Sequence, residues 1–259
     1  MTQETEIIYG RQPVLELLRA DRRKVRKVWL FRRARPSPPI KSIRKLAAAR
    51  QIELREVDHP VLDRLIQGGN HQGVVLEAES YPYCEFRDLL GLVQAGAAPF
   101  WLLLDHIQDP QNLGAILRSA DAVGVDAVLL PGQRAARITP AVVRVSAGAA
   151  EHLPIAIVGN LHQTMLDLQN RGFSMIGLET GATATPYTEA DLRGGLGLVI
   201  GSEGQGIGRQ IRDTCDRLIE IPMRGRVNSL NASAAAAVAM YEVLRQRGSR
   251  RSSAASDTD

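Results

Sequence analysis

FWLLLDHIQDPQNLGAILRSADAVGVDAVLLP, residues 100–131, is the stretch on which the fold turns. It opens with an apolar run at 100–105, breaks at Asp109-Pro110, takes a helix-like pattern over 112–123 and returns to an apolar run at 126–131. Apolar strands without polar alternation are strands covered on both faces, so this is one β-α-β unit of a buried sheet. The same alternation continues downstream. A helix falls around 140–150, a strand at 154–158, a helix at 160–171, strands at 174–179 and 196–201, a helix at 208–215, a strand at 217–222 and a last helix at 231–247. Repeated β-α units predict a mainly parallel sheet with helices on both sides.

Upstream the elements are shorter. Pro13 opens a helix through Ala20, VRKVWLF (25–31) alternates like a strand, and Pro39 starts a helix to about Arg50. Strands at 52–57 and 73–79 flank a helix near 61–67, and the loop GGNHQG (68–73) can bring backbone N–H groups close to a ligand. A small α/β sandwich over residues 1–80 follows. Residues 81–98, with a proline, a short helix and a small-residue stretch, read as a linker to a second domain at 99–248. The end of the chain, 249–259, has no apolar anchor and is expected to be a disordered tail.

A chain of 259 residues is long enough for two cores, and 44% hydrophobic with 23% charged residues is globular composition. No apolar run approaches the roughly 18 residues of a membrane span, and MTQETEIIYGRQ has no apolar signal core, so a cytoplasmic protein is expected. Cys84 and Cys215 have no CxxC neighbour and the five histidines show no ligand spacing, so no metal is expected. Charge is uneven. Residues 11–55 carry 15 Lys or Arg against 3 acids, a net of +12, whereas 56–259 carry 17 basic and 23 acidic side chains. Arginines outnumber lysines in the basic stretch, which suits phosphate contact and stacking on bases; a solvated basic face is the alternative. Arg22, Arg23, Lys24, Arg26 and Lys27 cluster at one end of the first strand and Arg32, Arg33 and Arg35 at the other. Of these, Arg23, Arg32, Arg33 and Arg35, with His71 in the 68–73 loop, are the candidate contacts to a polyanionic partner.

Three segments follow strands of the second domain, where an open α/β sheet places its ligands. In 102–124, Asn112 can cap the helix it begins or present its amide to a ligand, and Arg118 projects from that helix about 240° away in projection at ~100° per residue. The loop LVIGSEGQGIG (198–208) lacks the Lys-Ser/Thr of a P-loop, does not match GxGxxG, and carries Glu203 where a phosphate would be repelled. It suits a neutral or cationic ligand, S-adenosylmethionine among them, and also suits a structural turn. In 221–244, Asn228, Ser229 and Asn231 crowd the start of an alanine-rich helix; either Ser229 or Asn231 can be its cap, and the alanines suggest that this start is buried.

In this order the segments resemble the SpoU, or TrmH-like, family of RNA ribose methyltransferases. The likeness lies in Asn112-x-Gly114-x-x-x-Arg118, in Ile200-Gly201-Ser202-Glu203-Gly204, and in Ile221-Pro222-Met223 followed by Asn228-Ser229-Leu230-Asn231-Ala232-Ser233. IIYGRQPVLELL (7–18) and NHQGVV (70–75) resemble the family's L30e-like substrate-binding domain. Within the family the likeness is greatest to bacterial enzymes that methylate a guanosine in the peptidyl-transferase loop of 23S rRNA.

The resemblance implies a deep trefoil knot in the C-terminal domain, a homodimer through that domain with an active site completed by both subunits, and S-adenosylmethionine as cofactor, contacted through Gly201, Ile221 and Leu230. It nominates Arg118 as proton acceptor. An arginine is normally a fixed cation, so a clamp on an RNA phosphate is the alternative role. Asn112 and Asn231 would orient the acceptor ribose, Ser229 would shape its pocket, and Glu203 would hold the loops through backbone or Arg118 contacts. Arg224 and Arg226 add charge to the loop before the third segment. Other readings are methylation of tRNA or of another rRNA nucleotide, and an RNA-binding ribosome-assembly factor without turnover. A nicotinamide-dependent oxidoreductase is disfavoured by the missing GxGxxG.

Overall fold

The computed structural model describes residues 5–66, 68–91, 93, 98–181 and 183–253, with side chains described as far as Gly248. The described residues fall into two compact units. Unit 1 comprises the chain up to Pro82 together with Arg137–His152, and unit 2 comprises Tyr83–Ala136 and the chain from Leu153 onward.

In unit 1 the order is β1 (Thr5–Tyr9), α1 (Arg11–Ala20), β2 (Val25–Phe31), α2 (Pro38–Ala49), β3 (Glu53–Val57), α3 (His59–Ile66) and β4 (Val74–Glu79). These strands form one sheet in the order β1-β4-β2-β3, with β4 antiparallel to both its neighbours and β2 parallel to β3. The sequence pattern missed β1, whose five residues give too little alternation; its partner β4 supplies the pairing that its own pattern does not.

Unit 2 contributes α4 (Phe86–Gly91), β5 (Phe100–Leu104), α5 (Pro110–Val123) and β6 (Ala127–Pro131). The chain then enters unit 1 with α6 (Pro140–Val145) and a 3-10 turn at Ala149–Glu151. It returns with β7 (Ile155–Val158), α7 (Leu161–Gln169), β8 (Ser174–Leu178), β9 (Thr185–Pro186), β10 (Leu196–Ile200), α8 (Arg209–Thr214), β11 (Arg217–Glu220) and α9 (Ala232–Ser253). The seven strands lie in the order β7-β6-β5-β10-β8-β11-β9, and every pairing is parallel. The expected parallel sheet is therefore present. Every residue of β5 and β10 is buried, as strands with helices on both faces require.

Helix α5 shows why the local sequence folds as it does. The Asp109 carboxylate accepts the N–H groups of Gln111 and Asn112, Pro110 occupies the first turn, where a missing N–H costs nothing, and Gly124 closes the helix at φ 74°. Asp109, rather than Asn112, is the cap, which leaves the Asn112 side chain available. On one face of the sheet Trp101, Leu103, Leu129, Met165, Phe173 and Val199 pack into a single core. Burying side chains of this size contributes about 1.5–3 kcal/mol each.

Three expectations need correction. Residues 83–91 are not free linker, because the Cys84 N–H binds the Ile155 carbonyl alongside β7 and Leu89 joins the unit 2 core. Residues 137–152 group with the first unit rather than the second, because Val142, Val143, Ala149 and Ala150 bury their apolar surface there. The last helix continues six residues past Arg247 to Ser253; of the expected tail 249–259, only 254–259 lie outside the described residues. No described helix is long and apolar enough to cross a membrane.

Candidate functional site

Parallel strands share one carboxyl edge, and along this edge the chain places an acid after strand upon strand. Asp105 follows β5, Glu179 follows β8, Glu220 ends β11, and Glu203 lies in the loop after β10. Two of these acids suspend that loop. The Glu179 carboxylate accepts the Ile207 N–H at 3.2 Å, and the buried Asp105 carboxylate accepts the Gly208 N–H at 2.7 Å. Within the loop, Ser202 and Gly206 exchange both backbone hydrogen bonds, at 3.1 and 2.9 Å. Residue 201 must then be glycine, since a Cβ there would lie 2.1 Å from the Gly206 carbonyl carbon. Gly206 itself turns at φ 65°, a conformation that glycine adopts without steric cost.

Beside the loop is a pocket of about 350 Å³, bordered also by Ile221 and by Ser229 and Leu230 ahead of α9. All three residues expected to contact a cofactor, Gly201, Ile221 and Leu230, line it, and so does Ser229. Glu179, Glu203 and Glu220 face it, and no Lys, Arg or His is among its lining residues. Glu179 is paired with Arg212 at 3.5 Å, and the carboxylates of Glu203 and Glu220 make the pocket favour a cation over a phosphate.

At its rim three residues far apart in sequence converge. Asn231 Nδ2 donates to Asn112 Oδ1 at 2.8 Å and to Glu203 Oε2 at 3.0 Å, and Asn112 Nδ2 reaches the same Glu203 oxygen at 3.4 Å. Asn231 Oδ1 meanwhile accepts the N–H of Ser233, so Asn231 is the cap of α9. Ser229 is not. Glu203 is held by the two asparagines and not by Arg118, which is exposed on α5, outside the pocket lining and without a hydrogen bond among the described residues. The start of α9 is not buried as expected. Residues 222–231 are exposed, and burial begins at Ala232, Ala236 and Ala239, where α9 packs on α5. Asp105, Glu179 and Glu220 were missed; the legible signal was an acid closing three of the strands, β5, β8 and β11.

Comparison with known proteins bears on this arrangement. Residues 99–241 match the model of the SpoU rRNA methylase family, and residues 7–84 match that of the RNA 2'-O ribose methyltransferase substrate-binding domain. The chain belongs to the SpoU methylase family. A Bacillus subtilis (strain 168) relative named as the TrmH family tRNA/rRNA methyltransferase YacO is 40% identical over 248 residues, 95% of this chain and 98% of its own. The 23S rRNA (guanosine-2'-O-)-methyltransferase RlmB of Yersinia pestis is 39% identical over 94% of this chain and 98% of its own. Among solved structures, the SpoU methyltransferase AviRb of Streptomyces viridochromogenes, in complex with the cofactor AdoMet, superposes with a TM-score of 0.76 at 26% identity over 94% of this chain and 90% of that one.

The SpoU substrate-binding model falls on unit 1, and here the candidate RNA contacts divide. Arg32, Arg33 and Arg35 are exposed after β2. Arg23 is not a surface cation: its side chain is fully buried between Glu6 at 2.6 Å and Glu151 at 2.8 Å, which neutralise a charge that could not otherwise leave water. Burial pushes the Glu151 carboxyl above the usual carboxylate range, against the pull of Arg23. His71 is likewise buried. Its Nδ1 accepts the Gly73 N–H at 2.9 Å, so the neutral ring carries its proton on Nε2, facing Asp63 Oδ1 at 3.2 Å. His59, Asp63 and His71 lie close enough to suggest a metal site, but that tautomer turns a proton, not a lone pair, towards Asp63.

Proposed function

We propose that this chain methylates a ribose 2'-hydroxyl of structured RNA with S-adenosylmethionine as methyl donor, and that the acceptor is a guanosine in the peptidyl-transferase loop of 23S rRNA. The observation that carries the reading is the Asn112–Glu203–Asn231 cluster at the rim of a cation-favouring pocket. The 39% identity with a 23S rRNA guanosine enzyme supports the acceptor.

The pocket residues fit the cofactor. Gly201 lets the loop close on Gly206 and so shapes the pocket wall, and Glu179 and Glu220 favour a positive centre. When bound, S-adenosylmethionine supplies an electrophilic methyl on a sulfonium. The chain's own residues supply position. Asn231, fixed by its cap role and by Glu203, orients the acceptor ribose with Asn112, and Ser229 borders the same space. A ribose hydroxyl is a weak nucleophile at neutral pH, so in-line placement and removal of its proton must be provided. Arg118 is assigned that role, as proton acceptor or through an RNA phosphate that it clamps. Because Arg118 stands outside the pocket of its own chain, the reading pairs it with the pocket of a second copy, in a homodimer through unit 2 with Tyr241 and Leu244 exposed on α9. The knotted backbone of the SpoU family belongs to the same reading.

Mapping 2'-O-methylation across total RNA in cells with and without the gene tests the assignment. Loss of one methyl mark at a 23S guanosine is expected. Loss at a tRNA site redirects the substrate, and an unchanged map overturns the activity.

A further inference from the structure

Unit 1 carries a second pocket, of about 480 Å³, that the methyl-transfer chemistry does not use. From its shape and hydrogen-bonding groups we infer that it takes one unpaired RNA nucleotide and prefers the keto bases, uracil and guanine. This rests on the reading that unit 1 docks RNA.

The loop forming one wall is fixed on every side. The Arg11 N–H donates to Gln72 Oε1 at 3.1 Å, the Arg11 Nε–H donates to the Gln72 carbonyl at 3.0 Å, and the Gln72 N–H donates to Asn70 Oδ1 at 3.0 Å. Gln72 is thereby held at φ 53°, a conformation that costs a non-glycine residue energy and that persists where surroundings enforce it. Both carboxamide oxygens are used in these bonds. Their NH₂ groups therefore remain as donors, and neither has a partner among the described residues. Arg33 and Arg35 add two further cationic donors, and no carboxylate lines the pocket.

A flat ring lines the same pocket. His59 packs edge-on to Phe31 at 5.3 Å between ring centres and lies 4.3 Å from His71, yet its side chain is 56% exposed. An immobilised, half-open ring is a stacking platform for a base. Donor-rich walls favour an acceptor-rich partner. Uracil and guanine present carbonyl oxygens where cytosine and adenine present amino groups, which these donors would repel. A phosphate on either side would meet Arg33 and Arg35.

Anisotropy titrations of the full-length protein with labelled A-hexamers carrying one central U, G, C or A read this directly. The U and G probes are expected to bind at least about tenfold tighter than C or A. Asn70→Asp and Gln72→Glu keep the oxygens that hold the loop and replace the NH₂ donors with a charged acceptor, so each should weaken all four probes and shrink that ratio towards one or below it. His59→Ala should weaken all four probes by about ten- to a hundredfold with the ratio intact. Arg33→Gln with Arg35→Gln should flatten the log–log salt slope by about 1.4, roughly 0.7 for each contact to single-stranded RNA. Equal affinity for the four probes overturns the inference, as does a keto preference that survives both acid substitutions. Incorporation of labelled methyl into RNA from cells lacking the gene is scored in parallel. Its absence overturns the methyltransferase reading, whereas incorporation without any base ratio overturns the pocket alone.

Discussion

Asn231 and Asn112, 119 residues apart, share a 2.8 Å hydrogen bond while the Asn231 oxygen caps α9, so one side chain both starts a helix and fixes the rim of the pocket. The two roles use different atoms and can be separated. Asn231→Ala removes both and should cost about 1 kcal/mol for the lost cap. Asn231→Asp keeps the capping oxygen but sets a second carboxylate against Glu203, whose Oε2 now receives the amide at 3.0 Å. It should therefore retain nearly all of the thermal stability while losing methyl transfer at least as completely as the alanine variant. Calorimetry beside single-turnover rates decides it; an active Asn231→Asp removes the amide from the mechanism.

Gly201 sets the second prediction. A methyl at this position would collide with the Gly206 carbonyl 2.1 Å away, so Gly201→Ala must open the loop that Glu179 and Asp105 suspend. Overpacking of this kind costs about 1–3 kcal/mol. The strain falls on the pocket and not on the sheet core, so S-adenosylmethionine affinity should drop roughly ten- to a hundredfold while the fold persists. Titration calorimetry showing unchanged affinity would move the cofactor elsewhere.

The parallel sheet was legible because β5, β6 and β10 are continuous apolar runs, a signal that survives without knowledge of partners. The pocket residues Gly201, Ile221 and Leu230 were legible through resemblance, and the residues alone left the 198–208 loop equally suited to a structural turn. What the pattern could not show was anything decided across distance. Whether Asn112 or Asp109 caps α5 depends on which carboxylate or amide is needed elsewhere, and Glu203, 91 residues on, provides that need. Arg23 looked like its basic neighbours because a run of charges carries no mark of which member turns inward; Glu151, 128 residues away, makes its burial possible. The grouping of 137–152 with unit 1 has the same origin, since the apolar face of α6 does not name the surface that covers it.

That Arg23–Glu151 pair carries a pH-dependent prediction. Removing one member of a buried pair typically costs about 3–5 kcal/mol, whereas replacing both with apolar residues is often nearly neutral. Arg23→Leu and Glu151→Leu should thus each destabilise far more than the double variant. In Arg23→Leu the Glu151 carboxyl loses the cation that most draws its pKa down, and burial, with the nearby Glu6 charge, holds it raised. A carboxyl with a raised folded-state pKa favours folding while protonated, so this variant should be most stable at acidic pH and lose stability as pH rises through that raised value. Denaturation midpoints across pH measure it. A single variant no weaker than the double, or a flat profile for Arg23→Leu, refutes the buried-pair account.

Arg118 gives the last prediction. It is exposed and outside the pocket lining, so Arg118→Ala should leave both thermal stability and S-adenosylmethionine affinity close to wild type. A positioned proton-transfer group contributes ~10²–10⁴-fold, and a loss of that order should appear in the single-turnover rate on saturating RNA. Arg118→Lys keeps the charge but not the planar two-pronged donor, so strong rescue favours simple electrostatics and poor rescue favours paired contact or proton acceptance. If Arg118 serves the pocket of a second copy, two inactive variants can repair each other. In a mixture of Arg118→Ala and Asn231→Asp protomers, half of the randomly paired dimers join one of each. Such a dimer has one site with both defects and one with neither, so about a quarter of wild-type activity should return. If each site instead drew both residues from one chain, every site in the mixture would carry a defect. Mixing after partial unfolding and refolding, with no recovery of methyl transfer although exchange is verified by mass, would confine Arg118 to its own subunit.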